Sequence, residues 1–463
     1  MPSIASVAFK TPLPHRSPHA SRLALLSFAC LIGTSGAVLS EPEQSSIAPV
    51  AERRGFLGAQ NSFVFQKAPP FPAAYTGPGS FRPDSSTTQL LTTYFGIGFG
   101  PRLQAYANIE LFTGSGISGT TGLGGEPNGD AIRAGAVLPK TPYVARAYAR
   151  YIHPLSDAVR PVESVGDEVR RFEPTASLQV KLGKFSPIDD FDRNRYANSA
   201  RTQFLNWGLL VNTAWDLASD TRAYSNGAVV SLNYPTWAVR YGVYAVPTTA
   251  NGPDLGSSYR RGRGDNLELE LAPTPGGPVV RFLVYRNIAP MGIWRNAINA
   301  APAGTVPNIT DDQRVGRRKY GYGVNVELPL ADDGETGLFA RYGWNDGRTE
   351  MWGFADVERH LSIGMQISGA RWSRADDRIG IGWVRGGAST DHLEYLARGG
   401  RGLFVGDGAI RPASEHLLEV YYRFQLGRYV QLSPDYQRIV NPGYNSDRGP
   451  VNIYSLRVRI SFG

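Results

Sequence analysis

The feature that most constrains this chain is an alternation of apolar and polar residues that recurs along most of its length. In 102–111, for example, every second residue is apolar and the residues between are polar or charged. Successive side chains of an extended strand point to opposite faces, so such a stretch predicts a strand with one apolar face. About sixteen stretches of roughly ten residues share the pattern, as in membrane-spanning β-barrels. They are 55–67, 88–99, 102–111, 143–151, 178–183, 225–234, 236–246, 265–271, 279–288, 320–330, 336–345, 361–371, 377–386, 416–426, 430–440 and 452–462.

The connections between these stretches alternate between short and long. Short ones include Gly100-Pro101 and Tyr234-Pro235, whereas 113–140, 186–210 and 289–317 are long. Barrels of outer membranes have short periplasmic turns and long outer loops. We therefore predict an all-β fold, a transmembrane antiparallel β-barrel of about sixteen strands. The alternative is a soluble β-sandwich or propeller, although such folds usually use shorter strands.

The N-terminus predicts export. Three cations precede an apolar run, 23–32, and small residues follow it up to Ser40, the pattern of a cleavable signal peptide cut near Ala37 or Ser40. We divide the chain into a signal peptide at 1–40, a polar lead-in at 41–54 and a barrel at 55–463. The single cysteine, Cys30, lies in the signal. The mature chain then has no disulfide, no thiol catalysis and no cysteine metal ligand.

Two motifs suggest chemistry at first sight. Gly114–Gly119 fits a dinucleotide fingerprint, but the glycines and proline that follow it forbid the helix which that fingerprint must open. Asp190–Asn194 begins like a calcium loop, but Arg195 stands at the required glycine. No two histidines of the mature chain have metal-ligand spacing. We expect no metal, no cofactor and no enzymatic activity.

Charged residues lie on the polar face of many predicted strands. If the apolar face contacts lipid, this polar face lines the lumen, and about sixteen strands leave a water-filled channel. A soluble core would not tolerate these charges unless each were paired. The residues are Arg102, Glu110, Arg146, Arg150, Lys181, Arg240, Glu268, Glu270, Arg341, Glu419, Arg423, Arg457 and Arg459.

Several segments, in their order and spacing, resemble the carbohydrate-selective porin (OprB-like) family of Gram-negative outer membranes. The resemblance implies a sixteen-stranded barrel that passes monosaccharides such as glucose by diffusion. It runs from about residue 55 to the end of the chain. The segments are 72–81, 108–114, 122–130, 183–194, 203–206, 419–422, 434–437 and 441–443.

For the constriction of the pore we predict two groups of residues. Glu110, Arg146, Arg150 and Lys181 belong to neighbouring strands, and the loop 186–207 is expected to fold inward. Placing Glu110 and two aspartates of the loop there also rests on the resemblance. Side chains of this kind can exchange hydrogen bonds with sugar hydroxyls, and aromatic rings can stack on sugars. The loop contributes Asp189, Asp192, Arg201 and Trp207, and the neighbouring lumen faces contribute Arg102, Tyr106 and Tyr148.

The sequence thus favours an outer-membrane porin for small carbohydrates, with two alternatives. One is a general or anion-preferring diffusion channel, because the mature charge is positive. The other is a secreted β-protein or barrel hydrolase. Expected partners are small sugars as permeants, outer-membrane lipid and the barrel-assembly machinery, because Phe462 resembles the terminal aromatic residue that this machinery reads. Self-association into a homo-oligomer is left open, and no nucleic-acid partner is expected.

Overall fold

A computed structural model describes residues 55–131, 138–162, 169 and 171–462. The predicted signal peptide, the predicted lead-in and Gly463 lie outside the described residues. No helix within the described ranges has the length and apolar character needed to span a membrane.

The described residues contain eighteen strands and three α-helices. The strands are β1 (Gly55–Ala68), β2 (Asp84–Phe99), β3 (Leu103–Gly114), β4 (Tyr143–Pro154), β5 (Val159–Val162), β6 (Arg171–Pro174), β7 (Ser177–Phe185), β8 (Ser225–Asn233), β9 (Trp237–Ala245), β10 (Arg263–Leu271), β11 (Val279–Ala289), β12 (Arg317–Ala331), β13 (Thr336–Asn345), β14 (Arg359–Ser368), β15 (Arg378–Gly387), β16 (Glu415–Leu426), β17 (Val430–Val440) and β18 (Val451–Phe462). The helices are α1 (Trp207–Leu210), α2 (Trp294–Ala300) and α3 (Thr390–Ala397).

Sixteen of the strands form one closed antiparallel barrel, which confirms the predicted fold class. Each strand pairs with its neighbour along the barrel, and β1 pairs with β18 from Ala59↔Phe462 to Lys67↔Tyr454. Closure pairs the first and last strands and leaves no open sheet edge. All sixteen predicted stretches correspond to barrel strands. The additional pair β5–β6 was not predicted and forms a separate two-stranded sheet in the connection between β4 and β7.

The two ends of the barrel differ in their connections. One end, the short-turn end, carries turns such as 100–102 and 427–429, and the opposite end, the long-loop end, carries loops such as 186–224 and 388–414. The β5–β6 sheet makes 155–176 the longest connection at the short-turn end. This asymmetry agrees with the alternation of loop lengths in the sequence.

The apolar faces of the strands point out of the barrel and the polar faces point in. On β3, Leu103 and Ile109 are 41% and 39% exposed, whereas Asn108 and Glu110 are 2% exposed. Outward-facing aromatic residues form two bands, as expected of girdles at the two membrane interfaces. Tyr234, Trp237, Tyr429 and Phe462 belong to the band at the short-turn end. The outward apolar surface is therefore the surface that contacts lipid.

A bulge in β4 changes the face on which one predicted residue lies. Asn108 pairs with Arg146, but the next residue of β3, Ile109, pairs with Val144, so Ala145 is an extra residue. Such a bulge reverses the alternation on one side of it. Strict alternation over the predicted stretch 143–151 places Tyr143 and Tyr151 together on the outward face, as part of an aromatic girdle. Tyr151 does point outward, but Tyr143 points into the lumen, and this part of the prediction was wrong.

The connection 186–224 folds into the barrel and packs against the inner wall. Phe204 contacts Phe339 and Tyr421 edge to face, with ring centroids 5.5 and 5.0 Å apart. A Cβ atom at Gly343 of β13 would lie 1.8 Å from the Asn212 side chain, so the wall needs glycine at this close approach.

Charged side chains of the wall hold the backbone of this inner loop. Arg341 of β13 donates hydrogen bonds to the carbonyls of Leu209 (2.8 Å) and Ala197 (2.7 Å). Glu419 of β16 accepts from the amides of Leu205 (2.5 Å) and Asn206 (3.0 Å). Buried backbone groups must find partners, and here the barrel wall supplies them. Many inward charges therefore seat a loop instead of facing open water.

Candidate functional site

The lumen contains a cavity of about 300 Å³ between the inner loop and one side of the wall. The wall contributes residues of β1, β2, β3, β4 and β18, and the loops contribute residues on both sides of α1, the segment near Asp130 and Phe354. The lining carries four arginines, three carboxylates and several aromatic rings. These are Arg146, Arg201, Arg222 and Arg459, with Glu110, Asp130 and Asp189, and Tyr94, Tyr143, Trp207, Tyr224 and Phe354.

Arg201 joins the inner loop to the wall across this cavity. Its guanidinium donates to Glu110 Oε1 (2.7 Å), to the Tyr94 hydroxyl (2.9 Å) and, at 3.4 Å, to Asp130 Oδ1. Glu110 is 2% exposed and also accepts from the Tyr143 hydroxyl at 2.8 Å. An arginine donates up to five hydrogen bonds in a planar fork, which suits it to hold several oxygen acceptors at once.

Arg146 forms a second, two-pronged ion pair at the cavity. Its Nε and one terminal nitrogen donate to the two oxygens of Asp189, at 2.8 and 2.6 Å. Asp189 also accepts from the Ser186 amide at 3.1 Å. Burial would raise the pKa of Asp189, but Arg146 outweighs this and lowers the pKa to about 2. The pair therefore stays ionised at neutral pH.

Aromatic rings cover much of the remaining cavity surface. Trp207 packs on Phe354 with ring centroids 5.0 Å apart. The guanidinium of Arg146 lies 5.2 Å from the Tyr224 ring centre, and that of Arg222 lies 4.7 Å from the Tyr143 ring. Cations at these distances over ring faces are attracted to the ring. The cavity thus offers fixed charges, hydrogen-bond donors and acceptors, and flat apolar faces together.

Five of the predicted site residues line this cavity. They are Glu110, Arg146, Asp189, Arg201 and Trp207.

Four other predicted residues lie in the lumen nearer the short-turn end. Arg150 donates to Gln104 (2.8 Å) and to the Tyr106 hydroxyl (3.0 Å). Tyr106 stacks on Tyr148 with centroids 4.9 Å apart. Lys181 pairs with Asp190 at 2.9 Å. This second group lies on the same side of the wall as the cavity, between the cavity and the short-turn end.

Two predicted residues lie elsewhere. Arg102 is an exposed residue of the β2–β3 turn, because β3 begins at Leu103 and not at 102. Asp192 is buried against the wall, where it pairs with Arg341 at 3.1 Å and accepts from the Asn212 amide at 2.7 Å. Both positions lie outside the cavity lining. Asp192 helps to seat the inner loop.

Sequence reasoning missed several cavity residues. Asp130, Arg222 and Tyr224 lie in loops, where no periodicity indicates which side chain points inward. The inward direction of Tyr143 was missed because the β4 bulge shifts the alternation there. Tyr94 was the residue that a simple signal could have identified, because it lies on the same face of β2 as the polar Thr88 and Thr92.

Arg146 and Arg150 allow a comparison of the two groups, since they lie on one face of one strand. We expect R146A to lower the preference for anions over cations by at least about twofold, because a unit charge some 8 Å from an ion in water changes its energy by roughly 0.5 kcal/mol. R150A should have a smaller effect, because Arg150 lies about 13 Å further along β4. Reversal potentials in a salt gradient measure both, and an equal shift from the two variants would contradict this assignment.

The loops at the long-loop end are joined by a second buried cluster. His392 of α3 donates through Nδ1 to Glu358 Oε1 at 2.9 Å, and its ring stacks on Trp294 of α2 with centroids 4.2 Å apart. Both His392 and Trp294 are fully buried. Burial alone would lower the pKa of His392, but the Glu358 carboxylate outweighs it and raises this pKa above the ordinary value of 6.5. His392 and Glu358 therefore form an ion pair between two loops.

This ion pair makes the loops sensitive to pH. A histidine with a raised folded pKa stabilises the fold below its unfolded pKa of about 6.5 and loses that contribution as the pH rises through the folded pKa. We expect the 388–414 loop to resist proteolysis better at about pH 5 than at about pH 9. The H392Q variant should be cleaved faster at acid pH and change little with pH. Equal pH dependence in both proteins would contradict the prediction.

Comparison with known proteins agrees with this architecture. The sequence model of the carbohydrate-selective porin, OprB family, matches residues 170–462, which is more than half of the chain. The structure of Pseudomonas putida OprB aligns with a TM-score of 0.65 and 16% identity, covering 88% of this chain and 94% of that one. OmpT of Vibrio cholerae, in a variant lacking one loop, aligns with a TM-score of 0.46 and 11% identity, over 89% and 100% of the two chains. A search of curated protein sequences found no match.

The family match begins just before β6 and covers every barrel strand from β7 to the end of β18, and the closed sixteen-stranded barrel is the fold of Pseudomonas putida OprB. Within the described residues no group of three histidine, aspartate or glutamate side chains is arranged to hold a metal ion. The closed barrel, the loop folded into its lumen and the family match lead to one assignment: this chain belongs to the carbohydrate-selective porin (OprB) family.

Proposed function

We propose that the protein lets small neutral sugars, monosaccharides such as glucose, diffuse through the constriction around Arg201. The observation that supports this most is the mixed lining of the cavity, in which charged hydrogen-bonding groups and aromatic faces lie side by side. Its volume of about 300 Å³ lies at the small end of the range of about 300–1,000 Å³ typical of small-molecule sites.

A sugar crosses by exchanging hydrogen bonds. Its hydroxyls are both donors and acceptors, so they can accept from guanidinium groups and donate to carboxylates. The Arg201–Glu110 and Arg146–Asp189 pairs remain in place and offer their unused donors and lone pairs to the passing sugar. The apolar face of the ring can lie on Trp207. Passage requires each contact to be weak, since a tightly bound solute would not leave.

Liposome swelling with a panel of sugars tests this proposal. Liposomes that contain the protein should swell fastest with monosaccharides and more slowly with disaccharides and trisaccharides, because the cavity is small. The control is the same liposome without protein. Equal swelling with glucose in the two preparations would contradict the proposal.

A general or anion-preferring channel is the second candidate. It is supported by the four arginines that stand against three carboxylates at the cavity. The two candidates differ in their response to the chemistry of the solute: a general channel should discriminate little between a monosaccharide and a salt of similar size. Swelling rates and reversal potentials on one preparation separate them.

We also propose how the protein reaches its membrane. The signal at 1–40 directs export and is removed, the segment 41–54 leads into the barrel, and the assembly machinery reads the C-terminal strand with Phe462. The barrel then lies with its short-turn end toward the periplasm and acts without catalysis. Cell fractionation tests this, because recovery in a soluble fraction would contradict it. Crosslinking in mild detergent would reveal whether the barrel self-associates.

A further inference from the structure

Charged residues on the outward face of the barrel strands are confined to one end. Strand register and alternation assign nine Lys, Arg, Asp or Glu residues to the outward face of the described strands, and all nine lie near the long-loop end. Eight are cations and one is an anion. They are Lys67, Lys184, Arg263, Asp265, Arg286, Arg318, Arg359, Arg385 and Arg438.

General tolerance for charge near a membrane interface does not explain this pattern. A charged side chain on the lipid face costs little near either interface, because its head can reach water. That argument applies equally to both ends of the barrel and to both signs of charge. The described strands carry outward charge at one end only, and almost entirely of one sign. The arrangement of these charges therefore matches a property of the lipid leaflet at the long-loop end.

The outward-facing charged residues are densest on three neighbouring strands. Arg263 of β10 and Arg318 of β12 both lie opposite Ile288 of β11. Arg286, two positions before Ile288, is the neighbouring outward-facing residue of β11. Asp265 accepts from Arg286 at 2.7 Å and from Arg263 at 3.1 Å. Two guanidinium groups thus hold one carboxylate, and Arg318 on the next strand adds a third cation, so the cluster keeps an excess of positive charge.

The side chains of this cluster are ordered but accessible. Asp265 also accepts from the Tyr241 hydroxyl at 2.8 Å, which fixes the carboxylate. Arg263 and Arg286 keep 35% of their side-chain surface exposed. Among the residues that the structure describes, Arg318 has no carboxylate partner within 4 Å. The cluster therefore presents donors that internal ion pairs do not saturate.

Aromatic residues place the cluster at headgroup depth. Tyr320 lies opposite Arg286 and points outward with 46% exposure, and Tyr241 lies beneath Asp265. Tyrosine rings mark the boundary between the hydrocarbon and the headgroups. Arg286 lies level with Tyr320, and Arg263 and Arg318 lie one outward position nearer the loops, at the depth expected of lipid phosphates.

We propose that Arg263, Arg286 and Arg318 form a binding site for the phosphate groups of phosphorylated lipid in the leaflet at the long-loop end. Arginine forks match phosphate oxygens with two parallel hydrogen bonds, and basic clusters at a membrane surface attract anionic headgroups. The other outward-facing cations near the long-loop end extend the same attraction around the barrel. This site is on the outside of the barrel and does not depend on which solute crosses the pore.

The test compares two variants that lose the same net charge. R263Q/D265N/R286Q/R318Q removes the cluster, and D265N avoids leaving a carboxylate without its partners. The control, R371Q/R428Q, removes two exposed cations from the short-turn end. Each full-length protein is titrated in detergent with lipid A, a disaccharide lipid with two phosphates, and with its dephosphorylated form. Native mass spectrometry measures the bound fraction.

The cluster variant should bind lipid A at least about tenfold more weakly, and the control should bind like the wild type. The dephosphorylated lipid should bind weakly to all three proteins. Unchanged binding in the cluster variant, an equal loss in the control, or equal binding of both lipids would overturn the proposal. So would complete displacement of lipid A by equimolar inorganic phosphate, which would indicate a free-phosphate site. R318Q alone alters an exposed residue and should weaken binding about threefold even if the larger variant fails to fold.

Discussion

Replacing Arg341 by alanine is expected to release the inner loop from the barrel wall and to raise the single-channel conductance several-fold. Arg341 is 1% exposed, pairs with Asp192 at 3.1 Å and donates to two loop carbonyls. Removing one partner of a buried ion pair costs about 3–5 kcal/mol, since the other charge stays buried without compensation. Thermal unfolding and bilayer recording measure the two effects.

Two further variants separate this effect from a general loss of stability. R341M/D192N removes both charges, so it should be less destabilising than R341A. R398A removes an arginine that is 51% exposed and pairs with Glu394 on the surface of α3. Exposed pairs contribute at most about 1 kcal/mol, so R398A should leave conductance and unfolding nearly unchanged. If R341A conducts like the wild type, the inner loop is not held by this wall contact.

Replacing Arg201 by alanine is expected to lower the anion preference of the pore about fivefold. One fewer cation changes the energies of anions and cations near the cavity in opposite directions, by roughly 0.5 kcal/mol each at some 8 Å in water. Glu110 and Asp130 also lose the guanidinium that holds them. Reversal potentials measured in a salt gradient provide the test.

R201K is the matched control for this prediction. Lysine keeps the charge but cannot donate to Glu110, Tyr94 and Asp130 in one planar fork. Its ion preference should therefore stay near the wild type, whereas its passage of sugars should change, because the hydrogen-bonding geometry changes. An ion preference in R201A equal to that of the wild type would remove Arg201 from the narrowest part of the pore.

The barrel could be predicted because its strands obey a local rule. Lipid outside and water inside impose alternation on every strand, so β13 and β17 were predicted with the bounds that they have in the structure. The outward direction of Leu456 and the inward direction of Arg457 on β18 follow from the same rule. The rule fails where a bulge shifts the register, as it does at Ala145.

The constriction was less predictable because tertiary contacts decide it. That a loop near 186–207 folds inward was expected, but its sequence does not reveal which carboxylate faces the cavity. Asp189 meets Arg146 at the cavity, whereas Asp192, three residues later, turns to Arg341 on the opposite wall. Long-range partners of this kind leave no periodic signal. The same holds for Asp130, which the loop after β3 brings to Arg201.

The central claim is that a sugar occupies the constriction as it crosses, and the ion current through a single channel tests it most directly. Glucose added at increasing concentration should reduce the current and saturate, since a sugar among Arg146, Arg201 and Trp207 blocks the path of ions. A polymer too large to enter, at matched viscosity, corrects for bulk effects. A current that falls with glucose no more than with this polymer would contradict the claim.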